Sequence, residues 1–459
     1  MDIKEKNAGL ICRLFNILLG IAGGLLVFVG IVHILDYIYV NADDSEIQRV
    51  ILHDFYQEKG QIDNLYLGSS HVFCDLNTIK LSEMNSQFNF NLATPSQLPN
   101  GTFYLLKEAD RYNTLSHVYV ELYYAYNVKL LSGEEPMYAY PRYTWQNADN
   151  MPFSINKFAY MFSAAEPEQY TAFCIPFTRY RISLDNWDYI KQVIDKKQQE
   201  KYLNFELEHE DGNGIMRYVK NGYFFSSRVL GDCDKIYRQT DILSETSMAE
   251  QTEKYLRKTI EYCQMRDIPI TLFISPIYEL QLISTENYDN YIDEVRAIAE
   301  EYNVEFYDFN LAREEYFPIQ HKEYFKDVHH LNSAGADMYT SFFYEVVSGD
   351  ESDYDKYFYD SYAEKLQNAA PEIYGIYYRN SDNTVEGEEQ MRTYWVASNR
   401  NSGMEYRIII TPNEGEQYMI QDFNENKEFV IPASETGICS IVARMKETPD
   451  NVQTLEINF

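Results

Sequence analysis

Short apolar segments alternate with amphipathic segments between about residues 45 and 350. The apolar segments have the length of buried strands, and two of the amphipathic ones, Ser247–Met265 and Asn287–Tyr302, have the length of helices. Strands that alternate with helices predict an α/β fold, with a parallel sheet covered on both faces and a site at the carboxyl ends of its strands. The five predicted strands are Asn64–Leu67, Phe88–Leu92, Val118–Leu122, Ile268–Ile274 and Val304–Phe309.

The pattern differs in two other parts of the chain. From about 130 to 240 it is irregular and rich in tyrosine, which predicts an insertion or cap within an α/β domain of residues 45–350. From about residue 353, short strand-like runs are separated by Asn, Gly, Glu and Pro, which predicts a β-sandwich at 353–459. The predicted C-terminal strands are Ile373–Tyr378, Arg392–Ala397, Tyr406–Thr411, Glu428–Pro432, Cys439–Met445 and Thr454–Phe459.

An uncharged apolar run, Leu14–Leu35, lies near the N-terminus. At about 1.5 Å per residue it spans roughly 33 Å, enough to cross a bilayer core. Charged residues flank it, with Lys4, Lys6 and Arg13 before it and Asp36, Asp43 and Asp44 after it. Because cationic flanks tend to stay in the cytoplasm, we predict that residues 1–44 are a cytoplasmic stub and a single-pass cell-membrane anchor, with the rest extracytoplasmic. The alternative is a signal peptide cleaved near Val40–Ala42, but the run exceeds the usual ~7–15 residues of a signal core.

Composition narrows the function classes. The formal net charge of −32 argues against nucleic acid as a ligand, because binding it needs a basic surface. The 42 tyrosines could stack on sugars, although packing in the core is their more usual role. No two of the six cysteines form a CxxC pair, and the five that follow Cys12, which lies at the membrane segment, are an odd number and cannot all pair with one another. We therefore expect neither a paired-cysteine zinc site nor an essential disulfide framework.

Two short segments carry candidate chemistry. Gly68-Ser69-Ser70 directly follows the first predicted strand, where a tight turn can present a hydroxyl and its own N–H groups. Asp327-Val328-His329-His330 precedes a predicted helix, Ala336–Val347, with Asn332 or Ser333 as its N-cap. The spacing lets Asp327 accept a hydrogen bond from Nδ1 of His330, which leaves Nε2 free to face a hydroxyl.

Each segment alone has a simpler interpretation. The first is most often just a turn, and an acid near a histidine is most often a helix cap or a surface pair. Their combination is more specific, because one follows the first strand of the sheet and the other follows the last. Both should therefore meet at the same edge of the sheet.

In these residues the chain resembles the SGNH hydrolase family, whose first block is Gly-Asp-Ser and whose last is Asp-x-x-His. The resemblance implies a flavodoxin-like three-layer sheet, with Ser70 as nucleophile, His330 as base, Asp327 as its orienter, and no cofactor. The Leu-Asn that follows His330 also resembles the membrane-linked branch of the family. That branch includes the D-alanyl transfer protein of teichoic acid synthesis and the alginate-type O-acetyltransferases. Many of its members work beside a membrane-bound O-acyltransferase, which is the partner that the resemblance implies.

The middle blocks of the family match less well. The family places a glycine after the second strand and an asparagine after the third, both as oxyanion donors. Here Asn91–Ser96 contains no glycine, and Glu121–Tyr124 contains no Gly-x-Asn. The backbone N–H groups of Ser70 and Ala93 are the predicted substitutes. Losing one such donor typically costs about 10²–10³ in rate.

The sequence thus predicts an O-acyltransferase that acts on a cell-surface glycan through an acyl-enzyme on Ser70. A carbohydrate esterase or lipase-like hydrolase with the same triad is one alternative, and a non-catalytic glycan-binding scaffold is another. His71, His321 and His329 suggest a metal site, but no H-E-x-x-H or comparable spacing supports it, so we predict none.

Overall fold

The computed structural model describes most of the chain. Its described ranges are 3–41, 46–129, 135–170, 172, 175–179, 186–231, 236–238, 247–285, 287–349, 354–380, 390–400 and 402–459. The strands within them are β1 (Asn64–Leu67), β2 (Asn89–Asn91), β3 (His117–Glu121), β4 (Glu208–Asp211), β5 (Gly214–Lys220), β6 (Tyr223–Ser226), β7 (Ile236–Arg238), β8 (Ile270–Ile274), β9 (Glu305–Asp308), β10 (Ile373–Asn380), β11 (Met391–Ser398), β12 (Met404–Pro412), β13 (Tyr418–Asn424), β14 (Glu428–Pro432), β15 (Gly437–Met445) and β16 (Thr448–Asn458).

The α-helices of these ranges are mostly short. They are α1 (Ile3–Tyr39), α2 (Glu46–Gln57), α3 (Ser70–Asp75), α4 (Thr78–Asn85), α5 (Pro99–Asp110), α6 (Pro136–Ala139), α7 (Pro141–Asp149), α8 (Ile155–Ser163), α9 (Trp187–Lys197), α10 (Glu200–Leu203), α11 (Glu250–Met265), α12 (Glu279–Ile283), α13 (Tyr288–Tyr302), α14 (Ser333–Val347), α15 (Tyr354–Tyr357) and α16 (Tyr362–Asn368).

A five-stranded parallel sheet forms the centre of the α/β region, as predicted. Its spatial order is β2-β1-β3-β8-β9, with Leu65 of β1 opposite Phe90 on one side and Val118 on the other. Its apolar strands are almost wholly buried, because helices cover a parallel sheet. Helix α5 packs against α11, and α14 packs against α3 and α4. Because β1 and β3 are parallel neighbours in the sheet, their carboxyl ends lie side by side.

The region between about 130 and 240 shares the main core. Buried residues such as Met151, Tyr160 and Phe224 belong to the same hydrophobic cluster as the central sheet. Strands β4, β5 and β6 form a small antiparallel sheet, which the sequence did not predict. This stretch is thus packed onto the α/β core in its described parts.

Two four-stranded sheets form the C-terminal region. One has the order β14-β11-β10-β7 and the other β13-β12-β15-β16, and all pairs are antiparallel except β10 with β7. Side chains of both sheets, including Ile376, Ile408 and Ile441, form one hydrophobic cluster. Strand β13 was missed in the sequence because most of its residues are exposed, so no buried apolar face marks it.

Helix α1 contains the predicted apolar run. It is the one helix of the described residues that is long and apolar enough to cross a membrane. Its side chains from residue 13 to residue 31 are exposed, and the protein body covers only its C-terminal end.

A buried ion pair near that end gives a stability prediction. Arg179 donates to both carboxylate oxygens of Asp149, at 2.8 and 2.7 Å, and both side chains are only 3% exposed. Asp149→Ala leaves the guanidinium buried without its counter-charge, so we expect a loss of about 3–5 kcal/mol in unfolding free energy. Denaturant unfolding of the detergent-solubilised chain measures it.

The control is the exposed pair of Arg296 with Asp293. Asp293→Ala should cost no more than about 1 kcal/mol. Equal losses of unfolding free energy in the two variants would show that burial does not increase the contribution of the Asp149–Arg179 pair to stability.

Candidate active site

The turn that carries Ser70 is packed tightly against the neighbouring strand. Gly68 directly follows β1 with a φ of +146°, and a Cβ there would lie 2.6 Å from Cβ of Glu121. Only glycine fits this close approach without displacing the turn. Ser70 then opens α3, so its hydroxyl stands at the carboxyl edge of the sheet.

Three predicted site residues lie in one hydrogen-bonded line. Oγ of Ser70 is 2.8 Å from Nε2 of His330, and Nδ1 of His330 is 2.9 Å from Oδ1 of Asp327. Ser70 and His330 are 260 residues apart in the chain. The geometry is that of a nucleophile, a base and the group that orients the base.

Asp327 fixes the proton on the imidazole. Its Oδ1 also accepts the backbone N–H groups of His329 and His330, each at 2.9 Å. Burial opposes its ionisation, but the charge and the hydrogen bond of His330 hold the pKa of Asp327 well below its usual range. A carboxylate can only accept, so Nδ1 of His330 carries the proton and Nε2 accepts from Ser70.

The loop that holds the histidine is tied at both ends. Asn332 is the N-cap of α14, as predicted, and accepts the N–H groups of Ala334 and Gly335. Oδ1 of Asp75, at the end of α3, accepts the N–H of Leu331 at 2.9 Å. The segment with the histidine is therefore bound directly to the helix that begins at Ser70.

The adjacent serines have different surroundings. Ser69 is buried, and both its N–H and its hydroxyl donate to Oε2 of Glu121 at 3.1 Å. Its Oγ also lies 2.9 Å from Nδ1 of His71. Ser70 is only partly buried and contacts His330. Ser70 is therefore the hydroxyl that a substrate can reach.

Glu121 and His71 form a second network beneath the site, which the sequence analysis missed. Burial raises the pKa of Glu121 to about 7, and burial with the nearby His330 lowers the pKa of His71 well below its ordinary value. The His71 ring lies 3.8 Å from the ring of Tyr123 and 4.7 Å from that of His330, between centroids. The sequence did contain a signal for Glu121, because an acidic residue at the end of an otherwise apolar strand indicates a buried carboxyl group at the edge of the sheet.

The other histidines have local roles. Nδ1 of His329 is 3.0 Å from the hydroxyl of Tyr123, and burial lowers the pKa of His329 to about 4. His321 is near the surface and lies 3.1 Å from Glu323. Within the described ranges, no group of three or more His, Cys, Asp or Glu side chains is arranged to hold a metal ion. The described cysteines Cys74, Cys263 and Cys439 are free and buried.

The two predicted oxyanion donors differ. The N–H of Ala93 donates to Oδ1 of Asn91 at 2.9 Å, so it is already engaged and we no longer assign it to an oxyanion. An asparagine that binds the backbone two residues ahead is a common turn, and it occupies this donor. The N–H of Ser70 has no intrahelical acceptor because Ser70 is the first residue of α3.

The raised pKa of Glu121 gives a pH prediction. The folded chain keeps this proton up to about pH 7, whereas the unfolded chain loses it near pH 4.5. The resulting stabilisation is full below pH 4.5 and is lost as the pH rises through about 7. The shift corresponds to about 3 kcal/mol, and Glu121→Gln should remove this pH dependence.

Thermal unfolding of the solubilised chain at about pH 5 and about pH 8 measures it. The stability of the wild type relative to Glu121→Gln should be lower at about pH 8 than at about pH 5. Exposed Glu83 gives the control, since Glu83→Gln should keep the wild-type pH dependence. A constant difference between Glu121→Gln and wild type would contradict the assignment.

Comparison with known proteins adds little to this geometry. A protein-family model of unknown function matches residues 232–351. The match includes the Asp327–His330 segment and excludes Ser70. No curated protein matches the chain.

Proposed function

We propose that the chain is a membrane-anchored, extracytoplasmic O-acyltransferase of the SGNH hydrolase type, acting on a cell-surface glycan. The observation that carries the proposal is the 2.8 Å contact between Oγ of Ser70 and Nε2 of His330, with Asp327 behind the imidazole. Ser70 and His330 are far apart in the sequence, and a chance contact between them would not be expected to place a carboxylate, an imidazole and a hydroxyl in hydrogen-bonded sequence.

The sheet supports the same family. Numbered along the chain, its strands have the order 2-1-3-4-5, which is the order of flavodoxin-like folds. Ser70 follows the first of these strands, and the Asp327–His330 segment follows the last. Ligands of such sheets bind at the carboxyl edge, where both segments lie.

The first half-reaction forms an ester on Ser70. Its Oγ attacks the carbonyl carbon of an acyl ester while its proton passes to Nε2 of His330. The N–H of Ser70 is the donor that we assign to the developing oxyanion. The C–O bond to the donor alcohol then breaks, and that alcohol leaves with the proton from Nε2. Throughout, Asp327 accepts the hydrogen bond from Nδ1–H of His330 and stabilises the imidazolium.

The second half-reaction consumes the acyl-enzyme. A sugar hydroxyl gives its proton to Nε2 of His330 and attacks the carbonyl carbon, which forms the new ester. The bond between Oγ of Ser70 and the acyl carbon then breaks, and Oγ takes the proton back from Nε2. Water in place of the sugar gives hydrolysis, the activity of an esterase. We favour transfer because the membrane-linked branch that the chain resembles includes acyltransferases. An integral-membrane acyltransferase is the donor partner that this resemblance implies.

A fluorophosphonate probe tests the nucleophile, since it reacts only with an activated serine. The wild-type chain should be labelled, and mass spectrometry should find the adduct on Ser70. Ser70→Ala should remain unlabelled. Labelling of neither protein, or an adduct on another serine, would overturn the proposal and favour a non-catalytic glycan-binding scaffold.

A second assay separates transfer from hydrolysis. An acetyl ester is followed with and without a soluble glycan acceptor, and acetyl on the glycan is measured. Acceptor-dependent acetylation supports a transferase. Free acetate at an unchanged rate supports the esterase alternative.

A further inference from the structure

The end of α1 is held firmly against the protein body. Oδ1 of Asp36 accepts the N–H of Phe177 at 2.9 Å, and Nζ of Lys197 donates to the carbonyl of Tyr37 at 2.5 Å. Nδ2 of Asn41 donates to Oδ1 of Asn150 at 2.8 Å. These contacts fix the direction in which α1 leaves the body.

They also place the body close to the bilayer that α1 is proposed to cross. The apolar run ends at Leu35, so the hydrocarbon boundary lies near that residue. Asn41 is six residues further on, about 9 Å along the chain at helical rise. The headgroup region is roughly 5–7 Å thick on each side, so the surface around Asn150 borders it.

That surface exposes two large apolar side chains. Phe153 and Ile155 are 87% and 90% exposed, more than the 74% of Leu26 in the apolar run itself. Phe153 is three residues after Asn150, so their Cα atoms are within about 11 Å of each other. Soluble surfaces rarely expose neighbouring large apolar side chains so fully, and such residues mark contact with lipid or protein.

The turn that carries them has fixed supports. Met151 is buried, and the ring of Phe153 lies 5.1 Å from that of Phe158. Ser154 is the N-cap of α8 and accepts the N–H of Lys157, whose Nζ donates to the carbonyl of Met151. The two apolar side chains are thus presented by a braced turn between α7 and α8.

We propose that this turn, residues 150–155, inserts Phe153 and Ile155 into the outer headgroup region of the bilayer beside α1. The net charge of −32 argues against attraction to anionic lipid, so the contact is apolar and zwitterionic lipid suffices. With α1 across the bilayer and the turn inserted beside it, the protein body contacts the same membrane at two places. The inference rests on the anchor in the proposed function and is independent of the chemistry at Ser70.

Quenching by brominated lipid tests the insertion in the full chain. The protein is reconstituted in phosphatidylcholine vesicles, with or without bromine on the upper part of the acyl chains. Each variant adds one tryptophan to the three native ones, whose quenching in the wild type is the baseline. Phe153→Trp should add emission that is blue-shifted in vesicles and quenched by the bromines.

Two matched variants make the result decisive. Leu26→Trp, in the apolar run, should be quenched if α1 crosses the bilayer. Met419→Trp, on the 57% exposed position of β13, should remain unquenched. Quenching of Leu26→Trp without Phe153→Trp overturns the insertion and leaves the anchor standing. Quenching of both Phe153→Trp and Met419→Trp means general adsorption and also overturns it. If Leu26→Trp is unquenched, the anchor and the insertion both fail, while labelling of Ser70 is unaffected.

Discussion

Replacing Ser70 with alanine should abolish turnover of an acyl ester such as p-nitrophenyl acetate, with a loss on the order of 10⁶-fold, limited by the uncatalysed background. The reason is that Oγ of Ser70 is the atom on which we propose that the acyl-enzyme forms, and no other hydroxyl contacts Nε2 of His330 among the described residues. Binding of the ester should change little, because the hydroxyl is small and only partly buried. Initial rates with purified wild type and Ser70→Ala measure the effect.

Ser69→Ala is the matched control, because it removes the neighbouring hydroxyl. Ser69 bonds to Glu121 and His71, so its loss disturbs the turn and should cost only about 10- to 100-fold. The variant should still react with a fluorophosphonate at Ser70. If Ser69→Ala were inactive and Ser70→Ala active, the two serines would have to exchange roles.

Asp327→Asn should lower the turnover about 10⁴-fold while leaving the fold intact. The amide keeps Oδ1, which can still accept the N–H groups of His329 and His330. Its NH₂ group, however, donates to Nδ1 of His330, which moves the imidazole proton to Nε2. The imidazole then has no lone pair for the Ser70 proton, so kcat should fall much more than KM rises.

Asp337→Asn gives the comparison on α14. Asp337 is exposed and accepts a hydrogen bond from Asn77, outside the site. It should keep wild-type turnover and wild-type thermal stability. A loss in Asp327→Asn that is matched by unfolding would indicate a structural role for Asp327, whereas unchanged turnover would remove it from the mechanism.

The central sheet could be predicted because its strands are local apolar patterns. Each strand is a buried run bounded by turn residues, and the helices between them keep their own periodicity. The Asp327–His330 contact was also predictable, since both residues lie in one short segment. The meeting of this segment with Ser70 followed from the rule that parallel strands share a carboxyl edge.

The remaining features depend on contacts between distant segments. Glu121 lies under Ser69 only because β3 pairs with β1, a pairing that the local sequence does not encode. His71 is buried because α3 turns it toward Tyr123 and His330. The bond from the N–H of Ala93 to the side chain of Asn91, two residues earlier, was not foreseen from the sequence.

The pairing of β7 with β10 constrains how this protein can be shortened. Residues 236–238 donate a strand to the C-terminal sheet, and Tyr374 and Ala397 in turn belong to the core of the α/β region. Cutting the polypeptide after about residue 350 would leave β7 with an open edge and a gap where those two side chains pack. The α/β region is therefore not a detachable unit, and the C-terminal sheets must be retained for it to stay soluble.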